Sequence, residues 1–354
     1  MPSNNINNTI SRHAISSEDS IREAMKRLNA LSGESMTLFA IDNLGKIAGS
    51  ITDGDIRRRL IDGGELTDKV ETVMNPRFLH ADSPEEIPLK MAEGRRKHIE
   101  LLPIISNGVI QDIIDLKKIH SCLPLEAVVM AGGRGERLRP LTDDLPKPLL
   151  PVGGKPIIDY NIDELEACGI KKIHVTVNYL GDLIKEHFRN HKGSAIIDCV
   201  TEPTRLGTFG SLAFVENIDT EDIIVMNADL LSAIDFEAMF LHHRKNRNHF
   251  TIAAVPYSVS VPFAIMRLNG QQVTALEEKP TYNYFANGGV YIMKTELISQ
   301  IKKGEYLDAP DFILSIIGQG KKVGCFNLNG TWVDIGSPDD YRMANELTRV
   351  KNLQ

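Results

Sequence analysis

Residues 130–154 read MAGGRGERLRPLTDDLPKPLLPVGG, three arginines and a lysine set among five glycines. The chain as a whole is acidic, with a formal net charge of −7 over 354 residues, so cations are gathered here for a local reason. Immediately upstream, LEAVV (125–129) is a short apolar run of the kind a buried strand shows. A strand leading straight into Gly132, Gly133 and Gly135 feeds a loop whose backbone can take tight or positive-φ paths with its N–H groups exposed. Successive exposed N–H groups form an anion-binding concavity. Arg134, Arg137 and Arg139 add guanidinium groups whose geometry suits phosphate. Lys147, between Pro146 and Pro148, sits on a stiff backbone that aims a point charge. The stretch reads as a polyphosphate-binding loop. It is neither of two common nucleotide fingerprints: residues 133–138 are GRGERL, without the last glycine of GxGxxG, and GxxxxGK[ST] is absent.

Outward from this loop the pattern alternates. PIIDYNIDELEACGI has helical spacing stopped by Gly169, then KKIHVTVNYL predicts a strand and GDLIKEHFRNH a helix. AIIDCVTE predicts a strand, GSLAFVENI (210–218) a helix and DIIVMNAD a buried strand. FEAMFLHHRKN and FTIAAVPY close the series as helix and strand. Such alternation predicts an α/β unit with a mostly parallel, helix-covered sheet of Rossmann-like form. Ligands in these sheets bind outside the carboxyl ends of the strands, where both the glycine loop and Asn227-Ala228-Asp229 fall. The first 120 residues differ. SIREAMKRLNALSG predicts a helix, MTLFAIDNLGKIAGSIT a strand-turn-strand and DGDIRRRLIDGG a helix. PEEIPLKMAEGRRKHIE, LLPIISNGVIQDIID and LKKIHSCL repeat the order, a period of roughly 60 residues that implies a pseudo-twofold α+β module. Pro124 marks the boundary.

Bulk properties exclude several classes. An apolar content of 42% with 25% charged residues describes a soluble globular chain. No apolar run approaches the roughly 18 residues needed to cross a bilayer, and the polar first 20 residues lack the apolar core of a secretory signal. Cys122, Cys168, Cys199 and Cys325 are far apart and without CxxC spacing, as expected of reduced thiols in a cytoplasmic protein. The acidic balance argues against nucleic acid as a partner.

With these motifs in view, AGGRGERLRPLT…PKPLLPVGGKPII resembles the signature of the sugar-1-phosphate nucleotidyltransferases from about residue 125 to the end. That resemblance implies a GT-A-like fold and transfer of a nucleoside monophosphate to a sugar 1-phosphate with release of pyrophosphate. It places Gly132, Gly133, Arg134, Gly135 and Glu136 around the triphosphate, with Arg137 and Lys147 neutralising it. Glu136 is a departure, since the family more often carries threonine or serine there. Asp229, in NAD, and Asp334, in WVDIGSP, match the family's carboxylates for Mg2+, and Asn227 lies beside the nucleotide. LEEKP resembles the element whose glutamate, Glu278, accepts from sugar hydroxyls and whose lysine, Lys279, meets the sugar phosphate. NGG in FANGGVYIM resembles the sugar-contacting turn, giving Asn287 and Gly288. TEPTRLGTFGSL resembles the base-recognition loop, giving Glu202, Gly207 and Thr208. A glutamate there can accept from guanine N1–H and its 2-amino group, which favours GTP.

GSITDGDIRRRL resembles a cystathionine-β-synthase (CBS) motif, so the repeat is expected to be a CBS pair over about residues 8–63 and 74–121, within 1–122. The resemblance implies an adenosine-nucleotide site at Thr52 and Asp55, with Arg57 or Arg58 for phosphate, and assembly into a homo-oligomer. The second copy departs from the motif, with Asp115 and Lys118 at the equivalent positions. Together the two parts resemble CBS-linked guanylyltransferases of bacterial surface-sugar pathways, including the glucosamine-1-phosphate branch toward legionaminic acid. Mannose 1-phosphate, heptose 1-phosphate and a non-catalytic sensor are the alternatives. No segment resembling the acyl-transferring β-helix of some relatives follows residue 338, so a single activity is expected.

Overall fold

The computed structural model describes residues 10–117, 119 and 121–351. The chain divides into two compact units between Leu123 and Pro124. Among the described residues no helix is long and apolar enough to cross a membrane.

In the first unit β1 (Ala14–Ser16) runs parallel to β2 (Thr37–Ile41), which turns back antiparallel into β3 (Ile47–Thr52). Helix α1 (Ile21–Ala30) joins β1 to β2, and the Ser20 hydroxyl caps it by accepting from Glu23 N–H at 3.3 Å. Its buried Ile21, Ala24 and Leu28 are spaced three and four apart, one face of a helix. Helix α2 (Asp53–Ile61) follows β3 directly. The second half repeats the plan with a parallel bridge between Ala81 and Ile104, helix α3 (Ile87–Arg96), and antiparallel β4 (Leu101–Ser106) and β5 (Val109–Asp115). Phe39 and Ile47 from one half share an apolar cluster with Leu101, Ile110 and Ile113 from the other. The final helix expected over LKKIHSCL does not form among the described residues there. Leu116 N–H donates to the Glu100 carbonyl at 2.8 Å instead, and Pro124 disfavours helix in the residue before it. Lys118 lies outside the described residues.

In chain order the strands of the second unit are β6 (Glu126–Met130), β7 (Pro151–Val152), β8 (Lys155–Pro156), β9 (Lys172–Val177), β10 (Ile196–Thr201), β11 (Asp222–Asn227), β12 (Leu230–Ser232), β13 (Phe250–Ser260), β14 (Ile265–Asn269), β15 (Gln272–Glu277), β16 (Thr281–Lys294), β17 (Val323–Asn327) and β18 (Trp332–Asp334). Seven form one sheet in the order β10-β9-β6-β11-β16-β13-β17. All its pairings are parallel except those of β16, antiparallel to both neighbours. Helices α4 (Ile157–Ala167), α5 (Gly181–Phe188), α6 (Phe236–Lys245), α7 (Ala309–Gly318) and α8 (Pro338–Lys351) accompany it. The core gathers Val128 and Val225 with Phe209, Phe250, Tyr291 and Phe312, and Phe209 meets Tyr291 edge-on at 5.2 Å.

Two expectations are corrected here. The helix expected over 210–218 is a short 3-10 segment, Gly210–Phe214, whose Leu212 and Val215 N–H groups donate three residues back, to the Phe209 and Leu212 carbonyls, and which ends where Val215 turns to extended backbone. Asn287 and Gly288 do not sit in a turn but inside β16. The register with β13 shifts by two there, because β16 sets Gly288, Gly289 and Val290 against the single Ala253 between the Ile252–Tyr291 and Ala254–Asn287 pairs, with a positive φ of 70° at Gly289.

Candidate active site

Strand β6 has β9 on one side and β11 on the other, so the chain leaves their carboxyl ends in opposite directions and opens a crevice. The glycine loop enters that crevice from β6. Ala131 N–H donates to the Thr176 carbonyl at 2.9 Å, and Gly135 adopts φ 61°. A Cβ on Gly132 would stand 2.4 Å from Glu202 Oε1, and one on Gly135 would stand 2.9 Å from Thr142 Cγ2 and 3.0 Å from Lys147 Cβ. The loop is therefore seated between Glu202 and Lys147: a larger residue at Gly135 would strain its positive φ and push the loop out, and one at Gly132 would displace the Glu202 carboxylate. The Thr142 hydroxyl ties it down by donating to the Gly135 carbonyl at 2.9 Å.

Asp229 and Asp334, more than a hundred residues apart, meet because β12 and β18 pair antiparallel with Leu230 opposite Asp334. Ile335 N–H then donates to the Asp229 carbonyl at 3.1 Å. The buried Lys147 ammonium bonds to Asp229 Oδ2, and Asp334 Oδ1 is 3.9 Å away. Burial first, and then the charge of Asp229, push the Asp334 carboxyl above its ordinary range, against the pull of Lys147 and Arg137. Asp229 Oδ1 and Asp334 Oδ1 are buried and accept no hydrogen bond. Two orphaned acceptors on carboxylates that both approach the Lys147 ammonium fit a divalent cation, and with two carboxylates from the protein the remaining oxygens come from phosphate and water, as Mg2+ prefers. Among the described residues no cluster of three or more His, Cys, Asp or Glu side chains adds to this pair.

Around this centre lies a cavity of about 260 Å³, lined by Arg134, Gly135, Glu136, Arg137, Lys147 and Asp229, and also by Arg205. Gly336 lies under the Arg137 guanidinium, a Cβ there falling 3.6 Å from it. Arg205 and Gly336 were not anticipated. Arg205 stands three residues after Glu202 in a segment already singled out, and its charge was the available signal. Arg139 faces elsewhere and pairs with Asp143 at 3.3 Å.

Glu202 is buried beside Gly132, and burial raises its carboxyl above the ordinary value, opposed by the Leu206 N–H. Gly207, at φ 78°, packs against the Leu307 carbonyl. The Thr208 hydroxyl accepts from Ala309 N–H at 2.7 Å, which ties this loop to the start of α7. Asn227 ends β11 with its amide against Gly289. Asn287 donates to the Tyr291 hydroxyl at 2.9 Å, and the Gly288 carbonyl accepts from the Trp332 indole at 2.9 Å. Glu278 and Lys279 are exposed between β15 and β16, Lys279 at φ 44°, and do not line the cavity.

In the first unit a cavity of about 470 Å³ is lined from both halves, including Thr52, Asp55, Arg77 and His98. Asp55 Oδ2 accepts from Thr52 N–H at 2.8 Å and from its hydroxyl at 2.6 Å. Arg58 meets Asp55 Oδ1 at 2.5 Å. Arg57 pairs instead with Asp53 and does not line the cavity.

The second unit is similar to known proteins. A putative mannose-1-phosphate guanyltransferase from Sulfolobus acidocaldarius is 30% identical over 233 residues, 64% of this chain and 64% of that protein. A D-glycero-alpha-D-manno-heptose 1-phosphate guanylyltransferase from Aneurinibacillus thermoaerophilus is 30% identical over 63% of this chain and 97% of its own length. A glucose-1-phosphate adenylyltransferase from Geobacter metallireducens is 32% identical over 63% of this chain and 66% of its own. The chain thus spans about two thirds of the first and third of these relatives. The fold agrees with that of HddC from Yersinia pseudotuberculosis complexed with GMP-PN, at a TM-score of 0.50 and 23% identity over 63% of this chain and 99% of that one. Residues 126–350 match the Nucleotidyl transferase family, and with most of the chain, glycine loop and both aspartates included, inside that match, the protein belongs to it.

Proposed function

We propose that the second unit transfers GMP from GTP to a sugar 1-phosphate, with glucosamine 1-phosphate as acceptor, and releases pyrophosphate. The observation that carries this reading is the meeting of Lys147, Asp229 and Asp334 beside the glycine loop. The N–H groups of 132–136 with Arg134, Arg137 and Arg205 hold the β- and γ-phosphates, and Lys147 sets its charge at the α-phosphate. Mg2+ held by Asp229 and Asp334 supplies Lewis-acid chemistry when bound. An oxygen of the acceptor phosphate forms the new bond to the α-phosphorus. The bond from that phosphorus to the pyrophosphate oxygen breaks, and its electron pair leaves with pyrophosphate. Nucleophile and leaving group are both anions, so no general base is required, and position and charge do the catalysis.

Glu202 reads the guanine edge, with Gly207 and Thr208 shaping its loop and Asn227 beside the nucleotide. Glu278, Lys279, Asn287 and Gly288 receive the acceptor. Support for guanine comes from the Sulfolobus and Aneurinibacillus relatives, both named as guanylyl-transferring enzymes. Their mannose and heptose acceptors are the leading alternatives to glucosamine. The first unit is proposed to be a CBS pair that takes an adenosine nucleotide at Thr52 and Asp55, supported by the cavity beside them, and to take part in a cytoplasmic homo-oligomer.

The test is pyrophosphate release with Mg2+, crossing GTP, UTP, CTP, ATP and dTTP with glucosamine, mannose, glucose and heptose 1-phosphates. One strongly preferred pair containing GTP supports the reading. Preference for another base overturns the role of Glu202. Nucleotide binding with no turnover for any acceptor, with or without AMP or ATP added, favours a sensor.

A further inference from the structure

The Thr176 hydroxyl in β9 is wholly buried and has no hydrogen-bond partner. A polar group in that state is uncommon in a folded chain. Valine would fill the same space without an unpaired hydroxyl, as Val175 and Val177 do in the same strand.

Register shows what lies over it. Met130, Thr176 and Val200 stand side by side on β6, β9 and β10. Two residues on, Gly132, Asn178 and Glu202 fall on the same face, because side chains alternate along a strand. The pairing reaches them: Ala131 N–H donates to the Thr176 carbonyl and Glu202 N–H to the Val177 carbonyl, both at 2.9 Å. Strand β9 lies between β10 and β6, so the Glu202 side chain must cross it to bring its carboxylate against Gly132. It crosses on the face that carries Thr176. The Asn178 amide is engaged elsewhere, donating to the Glu202 carbonyl at 3.1 Å. Among the described residues Thr176 is the one side chain that favours the ionised Glu202 carboxyl against burial, beside the Leu206 N–H.

The protonation state of Glu202 decides what it can read. A carboxylate offers acceptors only, matching the paired donors of guanine N1–H and the 2-amino group. A carboxylic acid offers one donor and one acceptor, the complement of adenine at N1 and its 6-amino group. Burial draws the group toward the acid, so a donor to the carboxylate protects the preference for guanine. We propose that Thr176 is a positioning residue for base selection: its hydroxyl donates to the Glu202 carboxylate and holds it against the guanine edge as an acceptor. The assignment rests on the proposed role of Glu202 in reading the base.

The test is kcat/KM for pyrophosphate release with GTP and with ATP in wild type, T176V, T176S and E202Q, using Mg2+ and the best acceptor. Valine keeps the volume and removes the donor, so T176V should lower the GTP-to-ATP ratio about tenfold or more, as loss of a hydrogen bond to a charged group does. T176S restores the donor and should restore the ratio. A merely structural threonine would lower both nucleotides together and leave the ratio where it was. An unchanged ratio in T176V, while E202Q loses its preference for GTP, overturns the role of Thr176 and leaves that of Glu202 standing. An unchanged ratio in E202Q overturns both. A ratio that falls in T176V and does not return in T176S assigns the effect to packing and overturns the proposal as well. Should T176V fail to fold, T176C carries the same test, its thiol being a weak donor.

Discussion

The two units hold cavities of opposite character. That of the first unit is the larger, about 470 Å³ against 260 Å³, yet both aspartates lining it are already satisfied by neighbours. Asp55 spends both oxygens on Thr52 and Arg58, and Arg57 is paired with Asp53. The smaller cavity gathers Arg134, Arg137, Lys147 and Arg205 with Asp229, and Asp229 and the neighbouring Asp334 each keep an oxygen that nothing satisfies. Volume therefore does not locate chemistry. Charge held in place and left uncompensated does, because such groups lower their free energy only when a ligand arrives.

Removing one of those groups is the strongest way to break the contrast. Asp229→Asn keeps the shape and loses the charge, and kcat for pyrophosphate release should fall about 10²–10³-fold or more while GTP still binds by calorimetry. Turnover within tenfold of wild type would mean that the carboxylates are not the reacting centre. Lys147→Met tests the same point without turnover. It leaves two facing carboxylates without their cation, and Asp334 is 43% exposed, so the cost should be about 1–2 kcal/mol, below the 3–5 of a fully buried pair. Melting should drop by a few degrees, and millimolar Mg2+ should recover more of it than in wild type. Equal Mg2+ shifts in both proteins would remove the metal from this pair.

Glu202 comes next in size. E202Q retains one acceptor and loses the charge, so kcat/KM for GTP should fall roughly 10–100-fold, the loss of a charge-assisted bond, with ATP little affected. Stability should move the other way. A carboxyl raised above its ordinary value near 4.5 binds protons more tightly folded than unfolded. Ionised Glu202 therefore costs stability at neutral and higher pH, and this cost disappears as pH falls toward 4.5. E202Q should melt above wild type at pH 8, with the gap closing on acidification. A gap independent of pH would assign the effect to packing.

What was legible in the sequence followed the range of the forces involved. Strand β6 and the glycine loop could be read because an apolar run and the φ freedom of Gly135 are local properties. Lys147 and Asp229 stood out through their prolines and their strand end. The meeting of Asp229 with Asp334 was out of reach by spacing alone, since it depends on two three-residue strands far apart in the chain, and only the family resemblance brought the two together. The misread helix at 210–218 stops at Phe214 because Val215 turns to extended backbone, a change of φ and ψ that apolar spacing does not register. Arg205 was missed because an exposed arginine looks alike wherever it points.

The smallest effect is expected in the first unit, and there the prediction is mainly of independence. Asp55 closes the start of α2 by accepting from Thr52 N–H and hydroxyl, so Asp55→Ala should cost about 1 kcal/mol as a lost cap. For a unit of this size that is a fall of roughly 4–8 °C in its own transition. Basal pyrophosphate release at saturating substrates should stay within twofold, because no group in the reacting cavity changes. The informative readout is the thermal shift given by AMP or ATP. If Thr52 and Asp55 hold a ribose, that shift should vanish in Asp55→Ala and persist in Arg57→Ala, whose guanidinium is paired with Asp53 and does not line the cavity. A shift lost equally in both would return the phosphate to Arg57 and require its pair with Asp53 to open on binding. An undiminished shift in Asp55→Ala would leave that carboxylate with the capping role it already fills, and the larger cavity without an adenosine nucleotide at Asp55.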